Sequence, residues 1–194
     1  MRESIDHKIL NYIDRISRAM RKVSQHAGFK EGLNPLQIQI LQFLCHGKNR
    51  YATVGFIAAE MEITEATVSD SLKTLANRGL VKKVTDKSDK RVRHIRATTA
   101  GLRVGNALVT STHIALDSMP VKDKEKLAIQ LQAVTYALFT SGQLSQARIC
   151  FTCRHHQPSD LKNNVSYCNL LQKPLYPADL QYDCAEHEYV TRGA

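Results

Sequence analysis

The stretch 53–99 constrains the fold more than any other part of the chain. It reads TVGFIAAEMEITEATVSDSLKTLANRGLVKKVTDKSDKRVRHIRATT. Thr53 and Thr64 are residue types that cap helix N-termini, and Gly79 is the residue type that most often closes a helix C-terminus. Together they predict two short helices that are joined by a tight turn at Glu62 and Ile63.

A basic hairpin is predicted to follow the second helix. Residues 80–85 and 91–97 form two short runs with β-compatible residues, and the polar segment 86–90 between them is dense in turn formers. Residues 82–96 hold seven Lys and Arg against two Asp, whereas 144–194 hold five basic and five acidic residues. The formal net charge of +9 is therefore concentrated near the hairpin, which favours a polyanionic partner.

Small and polar side chains dominate the face of the second helix that is predicted to point outward. Val68, Leu72, Leu75 and Ala76 have helical spacing and are predicted to face the core. A helix with small and polar residues near its start suits a DNA major groove, and long cationic side chains on a hairpin suit phosphates and the minor groove. The predicted DNA-binding residues are Thr64, Ala66, Thr67, Ser69, Asp70 and Lys73 on the helix, and Lys87, Lys90, Arg91 and Arg93 on the hairpin.

A longer helix is predicted on either side of this DNA-binding stretch, one before it and one after it. In the first, from Ser4 to about Val23, apolar residues recur every three or four positions (Ile5, Ile9, Ile13, Ile16 and Met20). A helix this long at the terminus is expected to pack on a partner subunit. In the last, from Lys122 to Ser141, Leu127, Leu131, Val134 and Leu138 form a similar stripe. The predicted class is mainly α with a small β-wing (α+β), followed by an irregular cysteine-rich tail.

Two regions are therefore predicted, a DNA-binding and dimerisation domain over 1–143 and a cysteine-rich extension over 144–194. No apolar run reaches the roughly 18 residues that a membrane span needs, and the first residues lack the apolar core of a secretory signal. We expect a cytoplasmic protein whose thiols stay reduced. Cys45 lies in a mostly apolar helix and is expected to be a small core residue.

Four of the five cysteines fall in the extension, as Cys150, Cys153, Cys168 and Cys184. Four thiolates suit either a tetrahedral zinc ion or an iron–sulfur cluster, and a structural disulfide is a third reading. Structural zinc sites usually offer two close pairs, and only Cys150 and Cys153 form such a pair here. Cys168 and Cys184 are isolated, as ligands in cluster-binding loops often are. His187, in a Cys-x2-His pair, and the nearby His155 and His156 could instead complete a zinc site. Spacing alone leaves zinc and cluster open.

Three segments of the chain resemble the MarR family of bacterial regulators. TEATVSDSLKTLANRGLV at 64–81 resembles the family's recognition helix and first wing strand, and LNPLQIQILQFL at 33–44 resembles the preceding helix. Asp89-Lys90-Arg91 resembles the wing motif, which usually reads Asp-Arg-Arg. The resemblance covers roughly 1–143 and implies a winged-helix fold, an obligate homodimer and a pseudo-palindromic double-stranded DNA site. Family members often carry Arg where this chain has Asp70.

The tail resembles the cysteine-rich extension of a subgroup of MarR-like regulators, and this resemblance implies an iron–sulfur cluster (2Fe-2S or 4Fe-4S), with Zn²⁺ as the alternative. The sequence thus predicts a homodimeric, sequence-specific DNA-binding transcription regulator whose affinity is controlled by the four-cysteine site. The alternative is a winged-helix adaptor whose structural zinc tail contacts another protein. No nucleophile–base pair or carboxylate pair has supporting context, so an enzyme is not expected.

Overall fold

The structure is a computed structural model that describes residues 4–46, 52–113, 115–158, 165–184 and 186–190. Six α-helices in these ranges are α1 (Ile5–Lys30), α2 (Pro35–His46), α3 (Val54–Met61), α4 (Glu65–Asn77), α5 (Thr99–His113) and α6 (Val121–Thr140). The strands are β1 (Val81–Thr85), β2 (Arg93–Ala97), β3 (His156–Gln157), β4 (Ser166–Cys168) and β5 (Lys173–Leu175). Two 3₁₀-helices cover Cys150–Thr152 and Pro177–Asp179.

The described chain divides into two compact units. The first comprises Met1–His46 and Ala66–Asp117, and the second comprises Gly47–Glu65 and Ser118–Ala194. The cysteine segment, which is the extension over residues 144–194, therefore shares its unit with α3 and α6. The boundary predicted between residues 143 and 144 stays a prediction.

The predicted helix–turn–helix and wing are present. Thr53 caps α3 by accepting a hydrogen bond from the Phe56 N–H at 3.2 Å. Glu62 ends the helix in a left-handed conformation with φ of 54°, and only residues 62–64 separate α3 from α4. At the other end of α4, Gly79 has φ of 68° and the Leu80 N–H returns to the Leu75 carbonyl at 2.9 Å.

The wing is a two-stranded antiparallel hairpin within the first unit. β1 and β2 pair from Val81 opposite Ala97 to Thr85 opposite Arg93. Val81 and Ile95 are buried, and the hairpin is followed directly by α5. Thr98 joins the two elements, because its hydroxyl donates to the Gly79 carbonyl at 2.6 Å and accepts from the Gly101 N–H at 3.1 Å.

Close helix packing explains why α1 is longer than predicted. The predicted end at about Val23 is wrong, since α1 continues through Gly28 to Lys30. Gly28 is buried, and a Cβ atom built on it would lie 2.2 Å from Ile38 Cδ1 of α2. The glycine thus marks a helix contact rather than a helix end. Arg78, directly after α4, also donates to the Gly32 carbonyl at 2.9 Å and to the Glu31 carbonyl at the end of α1.

The core of the first unit is aliphatic. Cys45 of α2 is half-buried at the edge of this core: a Cβ atom built on Gly105 of α5 would lie 2.2 Å from its Sγ, and burial raises the pKa of its thiol. The side chains that are almost fully buried include Leu33, Ile38, Ile40, Leu41, Val68, Leu75, Ile95 and Leu108.

The second unit orders the cysteine-bearing segment more than the sequence suggested. β3, β4 and β5 form an antiparallel sheet in that order, with His156 opposite Cys168 and Ser166 opposite Leu175. Aromatic contacts attach the segment to α6. The Phe139 ring stacks on the Tyr189 ring at 5.4 Å, and the Tyr136 ring meets the Phe151 ring edge-on at 6.4 Å.

No helix in the described part of the chain has both the length and the apolar character needed to cross a membrane.

Candidate functional site

Every residue predicted to touch DNA is solvent-exposed. On α4 and the residue before it, these are Thr64, Ala66, Thr67, Ser69, Asp70 and Lys73. The opposite face holds Val68, Leu72 and Leu75 in the core, as predicted. Ala76 was expected there too, and this was wrong: it is exposed, and Ser71 is buried instead. The exposed face of the helix is thus mostly polar, and Asp70 is the acidic member of the predicted DNA-binding set.

The wing cations are also free to reach a polyanion. Lys87, Lys90, Arg91 and Arg93 are all exposed. Lys87, Lys90 and Arg91 lie between the strands, whereas Arg93 begins β2 and donates to the Thr85 hydroxyl at 2.9 Å. A row of long cationic side chains on a hairpin can neutralise phosphates, and their exposure means that little desolvation opposes the contact.

Asp86 organises the turn of the wing, whereas the sequence predicted it only as one of the turn residues 86–90. Its Oδ1 accepts from the Ser88 N–H at 2.7 Å and from the Asp89 N–H at 3.0 Å. Its Oδ2 lies 2.8 Å from His94 Nε2. Hydrogen bonds from the Ser88 hydroxyl first, and then from Asp89 and His94, hold the pKa of the Asp86 carboxyl well below its ordinary value. The carboxylate therefore holds the loop that carries the cations.

The four cysteines of the extension come together around one cavity. Cys150 and Cys153 lie in a tight turn in which the Cys153 N–H donates to the Cys150 carbonyl at 3.0 Å. Cys168 ends β4, and Cys184 follows a long excursion of the chain. All four line a largely apolar cavity of about 30 Å³, together with Leu170, Leu171, Leu175 and Gln181.

The histidines separate into two groups. His155 and His156 also line the cysteine cavity, and His155 Nε2 lies 3.2 Å from Glu188 Oε1. His187 lies elsewhere: its Nε2 is 2.8 Å from the Thr152 hydroxyl and its ring meets Tyr189 edge-on. The Cys-x2-His arrangement that could have completed a zinc site is therefore not assembled at this cavity.

The chemistry of the cavity fits a cation-bound thiolate set. Burial raises the pKa of the Cys150 thiol, an effect that the Gln181 N–H opposes, and burial likewise raises the pKa of Cys184. Thiols in such surroundings hold their protons until a metal replaces them. The Gln181 N–H donates to Cys150 Sγ at 3.2 Å, a contact that favours the thiolate. In the described ranges the cysteines are free thiols, and no three metal-ligating side chains close into a coordination shell.

Comparisons with known proteins support the fold of the DNA-reading region. A model of the MarR family matches residues 31–92. No curated protein matches the chain.

Solved structures with MarR-type folds are similar over most of the chain. A MarR-family transcriptional regulator from Listeria monocytogenes, complexed with a 26mer DNA, has a TM-score of 0.55 and 21% identity, covering 73% of this chain and 92% of that one. MepR of S. aureus in complex with DNA has a TM-score of 0.51 and 19% identity, and the match covers 71% of this chain and 100% of that one. CouR of Rhodococcus jostii RHA1, bound to p-coumaroyl-CoA, has a TM-score of 0.54 and 20% identity, and the match covers 69% of this chain and 95% of that one. At these identities the likeness establishes a common fold.

Proposed function

We propose that the chain is a MarR-family member and a homodimeric, sequence-specific DNA-binding regulator controlled by a metal or iron–sulfur site, because a model of this family matches residues 31–92 and its DNA-bound members share the fold. The observation that carries the DNA-binding part is the shared exposure of the polar α4 face and the wing cations. Members of this family are transcriptional regulators rather than enzymes.

Double-stranded DNA is the proposed partner. The Listeria regulator and MepR were both crystallised with DNA, and this chain has the same fold. α4 is proposed to enter the major groove, where Thr67, Ser69, Asp70 and Lys73 face base edges and phosphates. The wing is proposed to follow the neighbouring backbone with Arg91 and Arg93.

A homodimer explains the apolar side chains that remain exposed on the outer helices. On α1, Ile9 is 47% exposed and Ile16 is 51% exposed. On α6, Leu131 is 45% exposed and Leu138 is 46% exposed. Stripes of this kind along whole helices are typical of surfaces that a partner covers. Two copies related by a two-fold axis would present their recognition helices about 34–36 Å apart, which suits a pseudo-palindromic operator.

The proposed regulatory site is the cavity lined by Cys150, Cys153, Cys168 and Cys184. Four sulfur donors fit a four-iron cluster, a two-iron cluster or zinc, and we favour an iron–sulfur cluster in a cytoplasmic protein. Such a group supplies a charge that stabilises thiolates and a response to oxidants. Because ligation and local ordering form one free-energy step, loading the cavity is proposed to change the conformation of the cysteine segment and thereby DNA affinity.

One experiment tests the proposal. The full-length protein is purified without oxygen, and iron, sulfide and zinc are measured per chain along with visible absorption. An operator is selected from a random duplex pool, and its affinity is measured for loaded and metal-free protein. Stoichiometric iron and sulfide with a change in affinity support the regulator. A colourless protein with one zinc and no change in affinity would overturn the sensor and leave the adaptor with a structural zinc tail.

A further inference from the structure

Arg148 of the cysteine segment lies against α3, the first helix of the helix–turn–helix. Its guanidinium carbon is 4.2 Å from the centre of the Phe56 ring, and its Nη2 is 3.6 Å from Glu60 Oε2. The same guanidinium pairs with Asp183. The Arg148 side chain is only 11% exposed, so these contacts form in a largely desolvated setting where a charge depends on its partners.

A second contact from the same segment reaches the turn after α3. The Ser145 hydroxyl donates to Glu62 Oε1 at 2.5 Å. Glu62 is the residue in the left-handed conformation, which costs a non-glycine residue energy and needs support from its surroundings. The cysteine segment thus contacts both the last turn of α3 and the turn that leads into α4.

The start of α4 is itself tied to α3. A Cβ atom built on Gly55 would lie 2.9 Å from Glu65 Oε1, so the side chain of the first α4 residue covers the first turn of α3. Residues 62–64 join the two helices covalently. α3 is therefore joined to Glu65, the first residue of α4, both through the chain and through this side-chain contact.

Arg148 is equally tied to the thiols. Its carbonyl accepts from the Cys184 N–H at 3.1 Å, and its partner Asp183 directly precedes Cys184. Two residues further on, the Cys150 N–H donates to the Gln181 carbonyl at 3.3 Å and Cys150 Sγ accepts from the Gln181 N–H. These three hydrogen bonds join residues 148–150 to residues 181–184 in one ladder, which holds Arg148 together with Cys150 and Cys184.

We propose that Arg148 is the positioning residue through which the cysteine cavity acts on the helix–turn–helix. When the cavity holds its ligand, the ladder is closed and the guanidinium is fixed between Asp183, Glu60 and Phe56. When the cavity opens, the Glu60 carboxylate loses its cation in a half-buried site, and α3 and the turn at Glu62 lose their support. This inference rests on the proposed regulatory function but assigns it to a contact that can be tested without DNA.

The test compares Arg148→Gln with the wild type. Arg154→Gln is the matched control, because it removes the same charge from the same segment at an exposed ion pair with Glu188. Glu60→Gln removes the carboxylate charge that α3 contributes to the proposed link and leaves the cysteine segment unaltered. Metal content, operator affinity with and without the metal, and amide hydrogen exchange over residues 54–61 are measured for each protein.

The expected wild-type result is a ratio of loaded to metal-free operator affinity of about 5- to 150-fold, in either direction. Arg148→Gln and Glu60→Gln are expected to keep the wild-type metal content but to bring this ratio within about twofold of one. In both variants α3 exchanges at the metal-free rate even when the cavity is loaded. Arg154→Gln behaves as the wild type.

The inference is overturned if Arg148→Gln and Glu60→Gln both retain metal and the full wild-type ratio. The failure of the proposed function is a different outcome, in which the wild-type ratio is itself close to one. Hydrogen exchange then decides the Arg148 link alone: α3 exchange that does not change when metal is removed from the wild type overturns it.

Discussion

His94 Nε2 lies 2.8 Å from Asp86 Oδ2, so a buried side chain of β2 is joined to the first residue of the wing loop. The His94 side chain is 6% exposed and that of Asp86 is 24% exposed. The pair fixes the first residue of the loop to β2, while the cations of the loop are exposed to solvent. The direction of the wing thus depends on an acidic residue in the most basic part of the chain.

The first prediction concerns the pH dependence of the wing. Hydrogen bonds depress the pKa of Asp86, so its stabilising contribution is present above its unfolded pKa of about 4 and is lost as pH falls below that value. Asp86→Asn is expected to destabilise the protein near pH 6, with a difference from the wild type that shrinks below about pH 4.

Urea unfolding of both proteins between about pH 2.5 and 6.5 measures this difference. Asp117→Asn, at an exposed carboxylate, is the control and should show little difference at any pH. A difference for Asp86→Asn that does not vary with pH would show that the ionised carboxylate is not what holds the loop.

The second prediction concerns the wing cations. Arg91→Gln is expected to weaken binding to all DNA sequences alike and to reduce the slope of log affinity against log salt concentration by about one. The reason is that an exposed guanidinium that neutralises one phosphate releases about one counterion. Fluorescence anisotropy over a salt series measures the slope. Lys126→Gln, at an exposed lysine on α6, is expected to leave the slope unchanged. Equal slopes for the wild type, Arg91→Gln and Lys126→Gln would show that Arg91 does not contact DNA phosphates.

The third prediction concerns base recognition by Asp70. A carboxylate only accepts hydrogen bonds, so Asp70→Asn is expected to change the preferred base at one position in each half-site, by about 1–3 kcal/mol. Selection of operators from a random duplex pool measures the preference. The salt slope stays at the wild-type value, which distinguishes this effect from loss of a phosphate contact. Asn77→Ala, at the far end of α4, is the control and should leave the selected operator unaltered.

These outcomes show what local pattern can and cannot predict. Helix caps, turn residues and apolar spacing are local, and they placed α3, α4 and the wing, with Val68, Leu72 and Leu75 in the core. The end of α1 was predicted too early, at about Val23, because the contact that explains Gly28 within the helix comes from Ile38 on another helix.

The contacts of Arg148 were missed for the same reason. It lies 88 positions after Glu60 and 35 before Asp183, and no spacing rule connects such residues. The grouping of the four thiols was suggested by their number and spacing. The sheet that brings Cys168 opposite His156 had no visible periodic signal, because its strands are only two or three residues long.

The fourth prediction separates the two kinds of cysteine. Cys168→Ser is expected to remove most of the bound metal, because it deletes one of four sulfur donors at the cavity. Cys45→Ser is expected to keep the full metal content, since the Cys45 thiol of α2 packs against α5, 3.7 Å from the Gly101 carbonyl. Metal analysis of anaerobically purified proteins is the measurement. A wild-type metal content in Cys168→Ser would exclude that thiol as a ligand.

The fifth prediction concerns the subunit interface. Ile9→Glu places a charge in the apolar stripe of α1 and is expected to weaken self-association on the order of 100-fold. Arg18→Glu alters the charged face of the same helix, where Arg18 pairs with Asp14, and is expected to have a much smaller effect. Sedimentation equilibrium measures both. A dimer unaffected by Ile9→Glu would place the interface elsewhere.

The ion pairs inside the cysteine segment have a consequence for how such a regulator searches the chromosome. Arg148 pairs with Asp183, and Arg154 pairs with Glu188, so these cations are matched within the segment. Under the proposed function, non-specific attraction to DNA is expected to come mainly from the wing cations, which lie outside this segment, and to differ little between the two states of the cavity. The two states are then expected to scan DNA at similar rates, with the signal expressed in the residence time on the operator.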